Sequence, residues 1–408
     1  MAREMKNSGV KWIGEIPQDW ETKKLKYVAD TVSETWLNGI KIGLENIESK
    51  TGKYVQTETE YEGVGQIVHK DDIVYGKLRP YLCKAWKAEF ECNAVGDFYV
   101  FRCNNLSVSS FIQKVLVCDK FNEVCTAATY GTKMPRVSLD FINSIYLPLP
   151  PLSEQQAIAD FLDGKCAEID GLLTDLDAEI KTLTEYKKSI IAETVIRGLN
   201  PNAPMKQSGI PWAETIPAHW TTIRGKYAFR LLQRPVKEDD GVVTCFRDGQ
   251  VTLRSNRRED GFTMSDKEYG YQGIEPGDLV VHGMDGFAGA IGISDSRGKS
   301  TPVLNVLDSN NNKRYLMYYL RNMAYGNVFI ALSTGIRVRS CDLSWKKLGE
   351  VRIVLPPIEE QNAIATYLDE KCAAIDQSIV DKQTQIETLK SYKASLIYEY
   401  VTGKKQVI

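Results

Sequence analysis

The residues of this chain best suited to chemistry are lysines and arginines set among glycines and aromatics, and the chemistry they suit is recognition. Tyr75-Gly-Lys77-Leu-Arg79-Pro-Tyr81 carries two cations two residues apart, on one face if the segment is extended. Tyr130-Gly-Thr-Lys133-Met-Pro-Arg136 follows later. Arg254-Ser-Asn-Arg257-Arg258 and Gly335-Ile-Arg337-Val-Arg339 have the same character in the second half. Such side chains pair with guanine edges or with phosphates, and glycine lets a backbone approach closely. Lys77, Arg79, Lys133, Arg136, Arg254, Arg257, Arg258, Arg337 and Arg339 are therefore candidate DNA contacts. Each one, taken singly, also fits ordinary solvated surface charge.

Catalytic residues are hard to place. There is no Gly-x-x-x-x-Gly-Lys-Ser/Thr loop and no Gly-x-Gly-x-x-Gly; Gly283-Met-Asp-Gly286-Phe-Ala-Gly289 has the wrong spacing. An amino-methyltransferase would need Asn/Asp-Pro-Pro-Tyr/Phe, whereas the Pro-Pro pairs here follow leucine. The 3 histidines, His69, His219 and His282, are scattered, which disfavours a nucleophile–base pair. The 9 cysteines are spread as singles, with no Cys-x-x-Cys and no His nearby at a metal-ligand spacing. No catalytic residue, no metal site and no disulfide framework is expected.

The elements that must position these cations come in two copies. Met5-Lys-Asn-Ser-Gly-Val-Lys-Trp12 recurs as Met205-Lys-Gln-Ser-Gly-Ile-Pro-Trp212 and runs on to Lys26-Tyr27 and Lys226-Tyr227, with 11 of 23 positions identical at an offset of 200. A second match opens at Pro150-Pro151-Leu-Ser-Glu154-Gln155 and Pro356-Pro357-Ile-Glu-Glu360-Gln361, with 24 of 46 positions identical at an offset of 206. Between these shared heads and tails, residues 28–149 and 228–355 show almost no likeness. One structural plan is used twice, with two bodies free to face different targets.

Each tail reads as one long helix. Ser153 is a plausible N-cap, and no proline follows until Pro201. Ala159, Cys166, Leu173 and Ile180 are spaced by sevens, as are Leu162, Ile169, Leu176, Leu183 and Ile190. The second tail repeats this with Ala365, Cys372, Ile379 and Ile386, and with Leu368, Ile375, Leu389 and Leu396, Lys382 interrupting. One helix cannot bury such a stripe alone. The economical solution is an antiparallel coiled coil of the two tails; the alternative docks each helix on its own body. A helix of this size spans roughly 65 Å, which would hold two DNA readers less than ~20 base pairs apart. Gly164 and Gly171 weaken the first helix by up to ~1 kcal/mol each relative to alanine.

The bodies read as mixed α/β. Gln66–Lys70, Asp97–Arg102, Gly241–Phe246 and Asp278–His282 alternate like strands; Phe111–Phe121 and Lys313–Asn322 look helical. Gly52, Gly76, Gly249 and Pro276-Gly277 mark turns. The fold class is thus α+β, with globular domains at 1–151 and 201–357, long helices at 152–200 and 358–408, and a pseudo-twofold repeat. The formal charge of −2 hides a division: residues 151–200 carry 5 basic and 10 acidic side chains, residues 201–357 carry 21 and 16. A chain that gripped DNA unaided would usually be more positive, so local patches or a partner's charge must serve. The opening residues lack the apolar run of a secretion signal and no segment could cross a bilayer, which points to the cytoplasm.

Heads, Pro-Pro-x-x-Glu-Gln motifs and long helices, each present twice, resemble the specificity subunit of type I restriction–modification systems over essentially the whole length. Ser8 to Trp20 and Gly209 to Trp220 look like the opening of that family's target-recognition domains. Leu147 to Gln155 and Leu355 to Gln361 look like its entry into the conserved helical regions, and Tyr75 to Tyr81 is similar to a stretch of its recognition domains. The resemblance implies that each recognition domain reads one half of a split site on double-stranded DNA. It implies that the paired helices act as spacer and dock two methyltransferase subunits, which bring S-adenosylmethionine, and that restriction subunits can join. The expected helix–helix and docking residues are Leu162, Ile169, Leu173, Leu176, Ile180, Leu183, Leu368, Ile375, Ile379, Ile386 and Leu389. Two other readings remain: the recognition subunit of another bipartite-site restriction system, and a coiled-coil scaffold that ignores DNA.

Overall fold

A computed structural model describes residues 3–36, 39–257, 269–332 and 343–407. The chain divides into two compact units, one of residues 1–177 and 383–408, the other of residues 178–382. The architecture is α+β, as the sequence led one to expect.

In the first unit β1 (Ala29–Val32), β2 (Ile73–Gly76), β3 (Ala85–Lys87) and β4 (Phe98–Cys103) form an antiparallel sheet in the order β1-β4-β2-β3. The inner strand β2 is covered on both faces, so it is buried at every residue and apolar at successive ones. Ile73 and Tyr75 point into a core shared with the helices, while Val74 joins Trp86, Phe98 and Val100 on the other face. The helical stretch expected at Phe111–Phe121 is two helices, α1 (Ser109–Val117) and α2 (Asp119–Ala127). Cys118 interrupts them with a ψ of 128°. The buried Asn122 amide donates to the carbonyls of Leu116 and Cys118 at 2.7 and 3.0 Å, and Tyr75 Oη donates to its carbonyl oxygen at 2.8 Å. The break is thereby satisfied from within the core. The long helix α3 (Leu152–Arg197) gives its first half to this unit.

The second unit repeats the sheet although its sequence does not announce it. Here β5 (Arg230–Leu231), β6 (Leu279–His282), β7 (Ile291–Ile293) and β8 (Leu304–Asp308) run antiparallel in the order β5-β8-β6-β7. Leu279 and Val281 face one core cluster and Val280 the other, as in β2. The covering helix is α4 (Lys313–Tyr325), and α5 (Ile358–Val401) is the second long helix. The bodies differ outside this sheet. The first adds a four-stranded sheet of Thr35–Trp36, Lys41–Ile42, Gly65–Val68 and Cys92–Ala94, where the described residues of the second form two-stranded pairs.

Helices α3 and α5 run antiparallel within each unit. In the first, Phe161 stacks with Tyr400 at 4.5 Å and Asp170 pairs with Lys393 at 2.5 Å. In the second, Lys187 pairs with Asp376 at 2.6 Å and Glu179 with Lys382, the residue that interrupts the apolar row. Helix α3 passes unbroken through Gly164 and Gly171. Its start differs from the expected cap: Ser153 lies inside the helix, and the Pro151 carbonyl accepts from Glu154 and Gln155 N–H, both at 2.9 Å.

The shared head and tail meet in one lock, made twice. Trp20 Nε1 donates to Glu154 at 2.9 Å, and Trp220 Nε1 donates to Glu360 at 2.9 Å. The neighbouring glutamines cap the body helices: Gln155 accepts from Val108 N–H at 2.8 Å and donates to Pro150 O at 2.9 Å. Gln361 accepts from Asn312 N–H and donates to Pro356 O, both at 2.9 Å. The far end of the other helix closes each lock with a glycine. Gly403 (φ +71°) leaves no room for a Cβ beside Pro17 and Trp20, and Gly198 (φ +76°) none beside Trp220. Glu-Gln after Pro-Pro is therefore a clamp joining head, body and helix.

Candidate nucleic-acid interface

In the first unit the chain leaves β2 at Gly76, which ends the strand and is not a turn. Lys77 N–H donates to Asp97 O at 2.9 Å, Arg79 N–H to Pro135 O at 2.8 Å, and Val137 N–H to Lys77 O at 3.1 Å. The two basic segments thus lie side by side. Lys77 and Arg79 do not share a face of an extended strand. Arg79 sits at φ +52°, a left-handed conformation that costs a non-glycine residue about 1 kcal/mol or more and is held here by the Pro135 contact.

The four cations of this loop pair divide into two kinds. Arg136 holds Asp97 through two hydrogen bonds of 2.9 and 2.8 Å, and this guanidinium keeps the Asp97 carboxyl below the usual carboxylate range. Lys77 Nζ is 3.9 Å from the same carboxylate and 5.2 Å above the Tyr99 ring. Both are committed to the protein. Arg79 and Lys133 are exposed, and neither side chain has a partner among the described residues. Tyr81 and Tyr130, 50% and 60% exposed, flank them and offer flat apolar faces.

In the second unit Arg254 and Arg257 line an open cavity of about 650 Å³ beside the end of β6. Arg257 lies 4.1 Å over the Phe246 ring and 2.7 Å from Asp248, and Arg254 Nε is 3.4 Å from Thr244 Oγ1. Arg247 and His282 line the same cavity and escaped the sequence reading, because an isolated arginine and an isolated histidine carry no spacing signal. Arg258, Arg337 and Arg339 lie outside the described residues. Leu343 N–H donates to Gly283 O at 2.8 Å, as Val137 does to Lys77 in the first unit, so both bodies bring a late segment beside the end of the same strand.

The apolar rows of the long helices turn toward the protein. Leu162 and Ile169 are buried, with Leu173 and Leu389 packed against the first unit's core. Leu368 and Ile375 are buried in the second, with Leu183 and Ile379 against them. Ile386 is buried; Leu176 and Ile180 are half-buried. Outward the helices present Leu172, Tyr186, Val380 and Tyr392, which lie off those rows. Tyr186 and Tyr392 occupy matching places in the two tails. Among the described residues no group of His, Cys, Asp and Glu could hold a metal, and no helix is long and apolar enough to cross a membrane.

Residues 17–182 match the family model of the type I restriction modification DNA specificity domain. The type I restriction enzyme EcoDI specificity subunit of Escherichia coli is 28% identical over 44% of this chain and 42% of its own length. The putative MjaX specificity subunit of Methanocaldococcus jannaschii is 24% identical over 97% of this chain and 96% of its own. Among solved structures, a chain from work on complex assembly and conformational transition of the type I R-M system gives a TM-score of 0.72 at 17% identity, covering 96% of this chain and 99% of that one. The HsdS subunit from Thermoanaerobacter tengcongensis gives 0.52 at 18% identity, over 96% and 98%. The domain match ends within α3, but the clamp it contains is repeated by Trp220, Glu360 and Gln361 in the other half, and the full-length likenesses extend across both. Residues 17–182 thus match the specificity-domain model, and along nearly its whole length the chain is similar to specificity subunits of type I restriction–modification systems.

Proposed function

We propose that this chain recognises DNA for a type I restriction–modification complex, each unit reading one half of a bipartite site. The observation that carries this is the pairing of one repeated frame with two unlike reading edges. The ends of β2 and β6 occupy the same place in the two sheets, yet one leads into Lys77 and Arg79 and the other ends on His282 beside an arginine-lined cavity. A frame that is held constant while its edge changes suits two different half-sites.

In this reading α3 and α5 act as spacer, and their outward tyrosines belong to the surface that docks two methyltransferase subunits. Those subunits bring S-adenosylmethionine and carry the methyl transfer; restriction subunits can join the same complex. This chain contributes positioning and no catalytic group. The test is to map methylated bases in the source genome with and without this gene. The expected motif specifies bases in two places separated by an unspecified spacer. An uninterrupted word, or methylation indifferent to the gene, overturns the reading.

A further inference from the structure

His282 is the last residue of β6. Its Nδ1 accepts from the N–H groups of Met284 and Asp285 at 3.2 and 3.0 Å. An imidazole nitrogen that accepts carries no proton, so the ring's hydrogen sits on Nε2. Burial holds the ring's pKa below the ordinary histidine value, which keeps it neutral. Nε2 has no partner among the described residues, and the side chain lines the cavity that holds Arg254 and Arg257. The turn therefore fixes one uncharged N–H donor in the lining of a donor-rich cleft.

The charges around it say what kind of acceptor fits. Arg257 is tied to Asp248 at 2.7 Å and Arg247 to Asp285 at 2.8 Å. A carboxylate on one edge of a guanidinium fixes its plane and leaves other N–H groups available. Stacking on Phe246 at 4.1 Å restrains Arg257 further. A phosphate site would keep its cations uncompensated. Here Arg247 and Arg257 are each paired with a carboxylate and the histidine is uncharged. The cavity is rich in donors but poor in net charge, which favours a neutral edge bearing two acceptors. Among base pairs seen from the major groove, guanine with O6 and N7 presents that edge.

We propose that the cleft beside β6 reads a guanine, with His282 Nε2–H and the Arg257 guanidinium as donors to its O6 and N7. This rests on the reading of the chain as a DNA-recognition subunit. In the first unit the matching strand ends on Gly76, which has no side chain to offer, so the two units would specify different bases there.

The test uses the full chain in complex with its methyltransferase partner to select duplexes from a randomised library, as wild type and as His282→Asn. Asparagine keeps an acceptor for the Met284 and Asp285 N–H groups but is too short to place a donor where Nε2 lies. The wild type is expected to require guanine at one position of one half-site. His282→Asn is expected to lose that preference by ~10- to 100-fold at that position alone. In parallel, 7-deazaguanine, which has C–H in place of N7, is set at that position and wild-type binding measured, so no variant has to fold; a loss of about tenfold is expected. Preferences unchanged by both, loss spread evenly over all positions, or no required guanine in either half overturns the proposal. A wild-type complex that selects no sequence overturns the recognition reading itself, which is a different result.

Discussion

Arg79 and Arg136 lie in one loop pair of the first unit and should behave oppositely on substitution. Arg79 is exposed and has no partner among the described residues, so Arg79→Ala should leave thermal unfolding unchanged. It should weaken binding at one half-site by about 1–3 kcal/mol if the arginine reads a base. Arg136→Ala should lower the unfolding midpoint, because it takes the two hydrogen bonds from Asp97. That loss should depend on pH in a definite sense. The Asp97 carboxyl is depressed, chiefly by the Arg136 hydrogen bonds, so the pair's contribution is complete above the usual aspartate range near pH ~4. It fades as the pH falls through the lower folded value. Unfolding of wild type and variant at pH 6 and pH 3 checks this; equal destabilisation at both would refute it. The sequence displayed both arginines as equals. What separates them is Asp97, carried in the bend just before β4 and invisible to spacing. His282 was passed over for the complementary reason: its two partners are backbone N–H groups, which leave no trace in composition.

At the scale of elements, the long helices were the most legible part, because a seven-residue repeat needs only local periodicity and a second helix to satisfy it. Their ends were less so; Ser153 had the right chemistry for a cap, but the helix opens a residue earlier. The equivalence of the two body sheets could not be read at all. A buried strand asks for apolar side chains of suitable volume, and Ile73-Val-Tyr75 and Leu279-Val-Val281 meet that demand with different residues. The sequence marks the glycines of α3 as a cost to the helix. Gly164 and Gly171 both have open space where a Cβ would stand, and neither has a positive φ. Gly164→Ala and Gly171→Ala should therefore each stabilise the chain by about 0.5–1 kcal/mol in urea unfolding. Leu162→Ala, on the buried face of the same helix, should cost about 2–5 kcal/mol. If the glycine variants destabilise, the helix is held by something other than the packing seen around it.

For the whole molecule, the decisive feature is that the clamp is indifferent to the body it holds. Trp20 with Glu154 and Trp220 with Glu360 use the same atoms at the same 2.9 Å, and Gln155 and Gln361 each cap a body helix through a backbone N–H and a proline carbonyl. A backbone N–H is offered by almost any body with a helix at that place, so the frame constrains position and leaves the rest of the body free to differ. Replacing residues 28–149 by residues 228–355 should thus give a chain that folds and still assembles with its partners. On the proposed function, its complex should bind and methylate a site containing the second unit's half-site twice and the first unit's not at all, as methylation mapping would report. Failure to assemble would mean that the bodies themselves carry partner contacts. Retention of the original half-site would mean that specificity resides in the shared frame, where the two copies are too alike to tell two sequences apart.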